Sequence, residues 1–343
     1  MFDISKVVRK NVADLVPYSC ARDEFRGKEG IFMDANENPY GSLNRYPDPY
    51  QTELKSAISA RKGIPEDRIF LGNGSDEIID LAFRIFCTPR TDKALTFTPT
   101  YGMYEVAAAM NDVTLVKVPL NAEFGIDLSS AASWLKLPEL KLIIICSPNN
   151  PTGNSMKISD VEYIISNFEG MVLIDEAYID FSGRESFLSS INAYPNLIVM
   201  HTFSKAMGMA AGRIGIAYSD PAVIRFFNKM KAPYNISTLN QKEALRRLAN
   251  QGMLEKRVKY IKAGRERLIR SLGSLSTVEK VFPTDSNFIL VKVKDPDHLY
   301  RKLVENGVIV RNRNSVVSGC IRITVGTGSE NKKLLRALKK IEL

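Results

Sequence analysis

The stretch Leu197–Ile198–Val199–Met200–His201–Thr202–Phe203–Ser204–Lys205–Ala206 runs four apolar residues straight into a polar cluster holding one lysine, and Arg213 follows eight positions after that lysine. A lysine amine held at a strand end and partly desolvated becomes a nucleophile toward carbonyls. Hydroxyls with a guanidinium nearby make a seat for a phosphate dianion. Together they suggest a phosphorylated aldehyde, pyridoxal phosphate. From this segment alone, a surface lysine following a strand is an equal alternative.

Short apolar runs bounded by turns recur on both sides: Ala94–Phe97, Val113–Val118, Leu142–Cys146, Val172–Ile174 and Ile214–Tyr218. Runs that are apolar on both faces mark strands buried inside a parallel sheet. Helical patterns lie between them, among them Asp76–Phe86 and Ser159–Phe168. The alternation predicts an α/β fold, a mostly parallel sheet wrapped by helices, with ligands beyond the carboxyl ends of the strands. After Tyr234 the texture changes. A helical region (Thr238–Ser271), a strand (Asn287–Val293) and a helix (Asp297–Asn306) precede strands at Val308–Arg311 and Cys320–Val325 and a closing helix, Glu330–Ile341. That order predicts a smaller α+β C-terminal domain. Residues 36–236 are expected to form the large domain and 237–343 the small one, with 1–35 an N-terminal segment packing on the small domain.

A chain of 343 residues is long enough to bury a large core. No apolar run approaches membrane-spanning length and Met1–Asn11 lacks the pattern of a secretory leader, so a cytoplasmic protein without a membrane partner is expected. Four scattered cysteines without a CxxC pair read as reduced thiols. Two histidines, His201 and His298, far apart and without ligand spacing, argue against zinc. The net charge of +9 is spread along the chain. Its densest region, Lys256 to Arg270, is interleaved with Val258, Ile261 and Leu268 and reads as a solvated helix face rather than a nucleic-acid surface.

Further polar clusters follow the predicted strands. Leu71–Gly72–Asn73–Gly74–Ser75–Asp76–Glu77 opens a helix, where free N–H groups favour a phosphate; Ser75 or Asp76 as a plain N-cap is the alternative. Tyr101 follows Pro99–Thr100 and either stacks on a flat ring or packs in the core. Asn150, in Ser147–Pro148–Asn149–Asn150–Pro151–Thr152–Gly153, stands in a turn just past a core strand. Asp175 ends an apolar strand, where a carboxylate is costly unless paired. A protonated pyridine nitrogen pairs it, and Tyr178, three residues on, reaches a ring oxygen; a capping Asp with a half-buried Tyr is the competing reading.

In this order the clusters match the perimeter of pyridoxal phosphate, and the sequence resembles the fold-type-I aminotransferases nearly end to end. Within them it is most similar to the histidinol-phosphate aminotransferase family. The segments Asp34–Ala35–Asn36–Glu37–Asn38–Pro39–Tyr40–Gly41, Arg45–Tyr46–Pro47–Asp48 and Gly319–Cys320–Ile321–Arg322–Ile323–Thr324–Val325–Gly326 carry that likeness. Ala210–Ala211–Gly212–Arg213 departs from the family's usual Ala-Gly-Leu-Arg while keeping the arginine spacing. The resemblance implies the aspartate aminotransferase-like fold and pyridoxal 5'-phosphate as a covalent aldimine on Lys205. It implies further that Asp175 pairs with the ring nitrogen, that Asn150 and Tyr178 bind the ring oxygen, and that Tyr101 stacks on the ring. Ser75, Asp76, Thr202, Ser204 and Arg213 are implied to hold the phosphate. Tyr18, Asn36, Arg322 and Arg311 are the implied substrate contacts. Tyr46 is implied to reach the other subunit's site in a homodimer.

Two rivals stand beside this. An aromatic-amino-acid aminotransferase or a threonine-phosphate decarboxylase keeps the cofactor and changes the substrate, although the decarboxylase is expected to carry Asn-Ile-Asn-Pro where this chain has Asn36–Glu37–Asn38–Pro39. A non-catalytic basic binding protein on the same scaffold is the rival of a different class.

Overall fold

Seven strands, β1 (Ile69–Asn73), β2 (Lys93–Thr98), β3 (Thr114–Pro119), β4 (Leu140–Cys146), β5 (Met171–Asp175), β6 (Leu197–Thr202) and β7 (Ile214–Tyr218), form the main sheet in the order β1-β7-β6-β5-β4-β2-β3. The run from β3 to β6 is parallel, and β7 lies antiparallel to both β6 and β1. The computed structural model describes residues 2–24 and 30–342.

Strand pleating explains why these runs are apolar throughout. Ile143, Ile145, Val172, Ile174, Leu197 and Val199 enter the core on one face of the sheet, while Leu142, Ile144, Leu173, Ile198 and Met200 enter the core on the other. Burying each such side chain fully stabilises the fold by about 1.5–3 kcal/mol. The Ser75–Phe86 helix packs on the second of these faces through Ile78, Ile79, Ala82, Phe83 and Phe86.

A smaller antiparallel sheet follows, with β8 (Val278–Val281), β9 (Phe288–Val293), β10 (Arg311–Asn312) and β11 (Cys320–Thr324) in the order β10-β11-β9-β8. Val278–Val281 was not expected as a strand, because its burial is that of a half-exposed edge. The expected strand over Val308–Arg311 pairs only at Arg311–Asn312. The long helical region divides into Thr238–Leu248 and Gln251–Leu272, since Asn250 leaves the helical region at φ −109°, ψ 56°. Two cations of the second helix are not solvated: Lys262 Nζ donates to Ser182 O at 3.0 Å, and buried Arg265 donates through Nη1 to Phe181 O at 3.2 Å and Ser286 O at 2.9 Å. These bonds tie the helix to the end of the main sheet. Asp285 adds to the tie, its N–H donating to Gly153 O at 2.7 Å.

The N-terminal residues correct the expectation that segment 1–35 packs on the small domain. Val7, Val8 and Val12 are buried with Phe70, Phe86 and Phe227, on the helices of the main sheet. Arg9 N donates to Ile85 O at 3.0 Å, and Lys229 Nζ to Ala13 O at 2.8 Å. Apolar surface on that helix layer outcompetes the small sheet for these valines. Among the described residues no helix is long and apolar enough to cross a membrane, and no cluster of three or more His, Cys, Asp or Glu side chains stands ready for a metal.

Candidate active site

The carboxyl ends of β4, β5 and β6 converge on a cavity of about 380 Å³. Twelve of the fifteen residues singled out from the sequence line it: Ser75, Asp76, Tyr101, Asn150, Asp175, Tyr178, Thr202, Ser204, Lys205, Arg213, Arg311 and Arg322. The other three do not. Tyr18 is 76% exposed, and Asn36 and Tyr46 line a separate groove beside Ser237–Leu239, where Tyr46 stacks on Tyr234 at 4.4 Å.

Asp175 is delivered by the last residue of β5 and is buried at the cavity floor. Its Oδ2 accepts from Tyr104 OH at 2.7 Å and its Oδ1 from Ala177 N at 3.0 Å. Burial raises its pKa, and the Tyr104 hydrogen bond opposes that rise. No described cation forms an ion pair with it. Burial also pushes the phenols of Tyr104 and Tyr178 up, so both are hydrogen-bond donors at neutral pH.

Lys205 lies three residues past β6, its Nζ 5.5 Å from the centre of the Tyr178 ring. Burial lowers its pKa first, then the Arg322 guanidinium; the Asp175 carboxylate works against both. His201, four residues before it on β6, is locked separately. His201 Nε2 sits 2.8 Å from Glu176 Oε2, and Glu176 Oε1 accepts from Phe187 N at 2.8 Å. This buried pair joins the ends of β5 and β6 on the side away from Asp175 and Thr202. His201 is thus neither base nor metal ligand.

At the opposite wall the Ser75–Phe86 helix begins with Gly74 as N-cap and no side-chain cap bond. Neither Ser75 nor Asp76 is spent on capping, and both line the cavity. Asp76 instead pairs with Arg213, Oδ2 to Nη2 at 2.9 Å, and Tyr101 OH lies 3.4 Å from its Oδ1. Burial and the Asp76 carboxylate push the Tyr101 phenol up to about 12. Arg213 holds this reach from a left-handed backbone, φ 45°. Asn149 is structural: its Nδ2 donates to Pro99 O at 2.9 Å and Thr152 Oγ1 at 2.7 Å, fixing the turn. Asn150 is thereby presented to the cavity, where its Oδ1 accepts from Arg322 Nη1.

The arrangement offers an amine whose charged form is disfavoured, a buried carboxyl group with no ion pair among the described residues, and a guanidinium beside a helix start. Residues 29–341 match the model of the aminotransferase class I and II family. The chain belongs to that family. A histidinol-phosphate aminotransferase of Cytophaga hutchinsonii is 47% identical to this aminotransferase over 98% of this chain and 99% of that one. Among solved structures, the histidinol-phosphate aminotransferase of Clostridium acetobutylicum superposes with a TM-score of 0.80 at 27% identity, covering 88% of this chain and 91% of that one. The enzyme of Sinorhizobium meliloti, solved in complex with pyridoxal-5'-phosphate, gives 0.79 at 25% identity over 88% and 83%. The fold of this aminotransferase is accordingly the one the resemblance implied.

Three contributors escaped the sequence reading: Tyr104, Cys146 and Arg313. Tyr104 follows Tyr101 by three residues, near one helical turn, a spacing that carries no chemical signal of its own. Cys146 ends β4 inside an apolar run and shows no chemical signal. Arg313 alternates with Arg311, a period-two pattern that marks one face of an extended segment.

Proposed function

We propose that this chain is a histidinol-phosphate aminotransferase, moving an amino group reversibly between L-histidinol phosphate and 2-oxoglutarate with pyridoxal 5'-phosphate as cofactor. The observation that carries the reading is Asp175: a buried carboxyl group, hydrogen-bonded but with no ion pair among the described residues, lining the same cavity as a lysine of lowered pKa. That carboxylate fits a protonated ring nitrogen, and the Arg213 guanidinium with Ser75, Asp76, Thr202 and Ser204 fits a phosphate. Bound there, the cofactor supplies the carbonyl that captures the amine and an electron-poor ring that stabilises the electron pair left on the substrate carbon.

The side chains do the rest. Lys205 Nζ takes the proton from the substrate carbon and would deliver it to the cofactor carbon that bore the aldehyde, C4′, a task suited to an amine whose charged form is disfavoured by burial. Asp175 keeps the ring nitrogen protonated. Asn150 and Tyr178 hydrogen-bond the ring oxygen, and Tyr101 packs on the ring. Arg322 and Arg311 hold the anionic groups of the substrates.

The active unit in this reading is a homodimer. Val16, Tyr18, Ile31, Met33, Tyr40 and Leu43 are all exposed, and apolar surface of that extent supports an interface. Tyr46, 52% exposed and outside its own cavity, is assigned to the partner's phosphate; Tyr18 and Asn36 belong to the same arm. Cys87, Cys146 and Cys320 are buried thiols outside any disulfide, which supports the cytoplasm as the compartment. Single-turnover kinetics with L-histidinol phosphate, phenylalanine and phosphothreonine test the substrate. The histidinol phosphate rate should exceed the others at least tenfold; faster turnover of phenylalanine rejects the assignment.

A further inference from the structure

Arg311 and Arg322 are direct partners across the antiparallel β10–β11 pair. Like charges so placed repel. Side chains two residues apart on extended backbone share a face, and Arg313 lines the same cavity as Arg311 and Arg322. The intervening residues are held elsewhere. Asn312 Nδ2 donates to Asp297 Oδ1 at 2.5 Å and Asn314 Nδ2 to Asp297 Oδ2 at 2.8 Å, while Asn314 Oδ1 accepts from Gly319 N at 2.9 Å. One carboxylate at the start of the Pro296–Glu305 helix thus clamps both asparagines and leaves the two arginines facing the cavity. Arg313 N donates to Cys320 O at 3.0 Å and fixes the backbone.

None of the three guanidiniums forms an ion pair with a described carboxylate. Arg322 is engaged with Asn150 and lies 5.0 Å over the Phe288 ring. Arg313 Nε is shielded from solvent without a hydrogen-bond partner. Burial, then Arg322 and Arg311, push the Arg313 guanidinium below its ordinary range. Three cations on one face repel one another, and an anion among them relieves that repulsion. Arg213 already has Asp76 and the helix start on the other wall, so this second seat serves the substrate.

We infer that Arg313, held by the Asp297 clamp, is a specificity-determining residue that seats the substrate's phosphate together with Arg311. The inference rests on the reading of the site as one that takes a phosphorylated amine. Each of glutamate's two carboxylates has one charge and two oxygens and is served by one forked arginine, Arg322 or Arg311; a phosphate dianion has three acceptor oxygens and uses more than one. Arg313 therefore separates the phosphorylated amine from glutamate at one site.

The test uses the holoenzyme and its Arg313→Met and Arg313→Lys variants. In Arg313→Met, the ratio of kcat/KM for L-histidinol phosphate to that for L-glutamate should fall tenfold or more, mainly through KM, with partial recovery in Arg313→Lys. A ratio within threefold of wild type overturns the assignment, and the glutamate half-reaction reports that the variant is folded. Propyl phosphate, which carries no amine, is the independent probe: it should inhibit the glutamate half-reaction competitively, and at least tenfold more weakly in Arg313→Met. Equal inhibition constants overturn the inference. A wild type that ignores histidinol phosphate yet shows Arg313-dependent inhibition by propyl phosphate sinks the proposed substrate and leaves the phosphate seat standing.

Discussion

Lys205 is pulled in opposite directions, with burial, Arg322 and Arg213 favouring its neutral amine and Asp175 its ammonium form. The net effect is to lower its pKa from the ordinary lysine value. Single-turnover deamination should therefore rise with pH and level off below the ~10.4 of an ordinary lysine. A rise that continues to the ordinary lysine value contradicts this. Lys205→Ala should lose activity by on the order of 10⁴-fold or more while remaining folded, as read by circular dichroism and stopped-flow rates. Asp175 gives a prediction of opposite sign for stability and activity. Its folded pKa is raised above an unfolded value of about 3.9, so in the cofactor-free protein the folded state holds the proton more tightly. Stability is then lost as pH rises from the unfolded value through the folded one, and the penalty is complete above that window. Asp175→Asn should raise the thermal midpoint of the cofactor-free protein at neutral pH by about a few degrees, and should lower transamination roughly a thousandfold. These two residues were legible in the sequence because each interrupts or follows an apolar strand with a charge. Tyr104, which donates to Asp175, was not, because an aromatic at helical spacing looks the same whether it fills a core or donates a hydrogen bond.

The elements hold the site through a few close approaches. Gly74 has φ 78°, and a Cβ there would lie 2.8 Å from Arg213 Cζ. Gly74→Ala should push the guanidinium from the helix start and weaken cofactor binding about tenfold, measured by equilibrium dialysis, since strain of this kind costs roughly 1–3 kcal/mol. Unchanged affinity would show that Arg213 has no part in the phosphate seat. Asp297→Ala should release Asn312 and Asn314 and cost several-fold in kcat/KM for the phosphorylated amine, less than loss of Arg313 itself. The buried parallel strands were readable to within a few residues, because full burial writes an unbroken apolar run. The small sheet was read less well. Val278–Val281 sets Glu279 and Lys280 side by side between two half-buried valines, and Val308–Val310 is apolar without pairing. Side-chain period alone does not say which short run finds a hydrogen-bonding neighbour.

At the scale of the molecule, the exposed apolar residues Val16, Tyr18, Ile31, Met33, Tyr40, Leu43 and Tyr46 and the cavity they do not line are two halves of one prediction. Tyr46→Ala and Lys205→Ala, each impaired alone, should complement on mixing and refolding. Random pairing gives hybrid dimers in which one site of two is whole, so about a quarter of wild-type activity should return. No recovery would mean that Tyr46 acts within its own chain or not at all. The misplaced N-terminal segment shows where sequence reading stops. Val7, Val8 and Val12 carry no period that names their partners, and Phe70 and Phe227 lie far along the chain. The central claim is that Lys205 carries pyridoxal phosphate over Asp175 and exchanges it with a phosphorylated amine. Its most direct test is the visible spectrum of the purified holoenzyme as L-histidinol phosphate and then 2-oxoglutarate are added. The cofactor band should be bleached by the first and restored by the second, and should be missing or unresponsive in Lys205→Ala. A wild-type protein that binds no chromophore, or one whose band ignores both additions, contradicts the account.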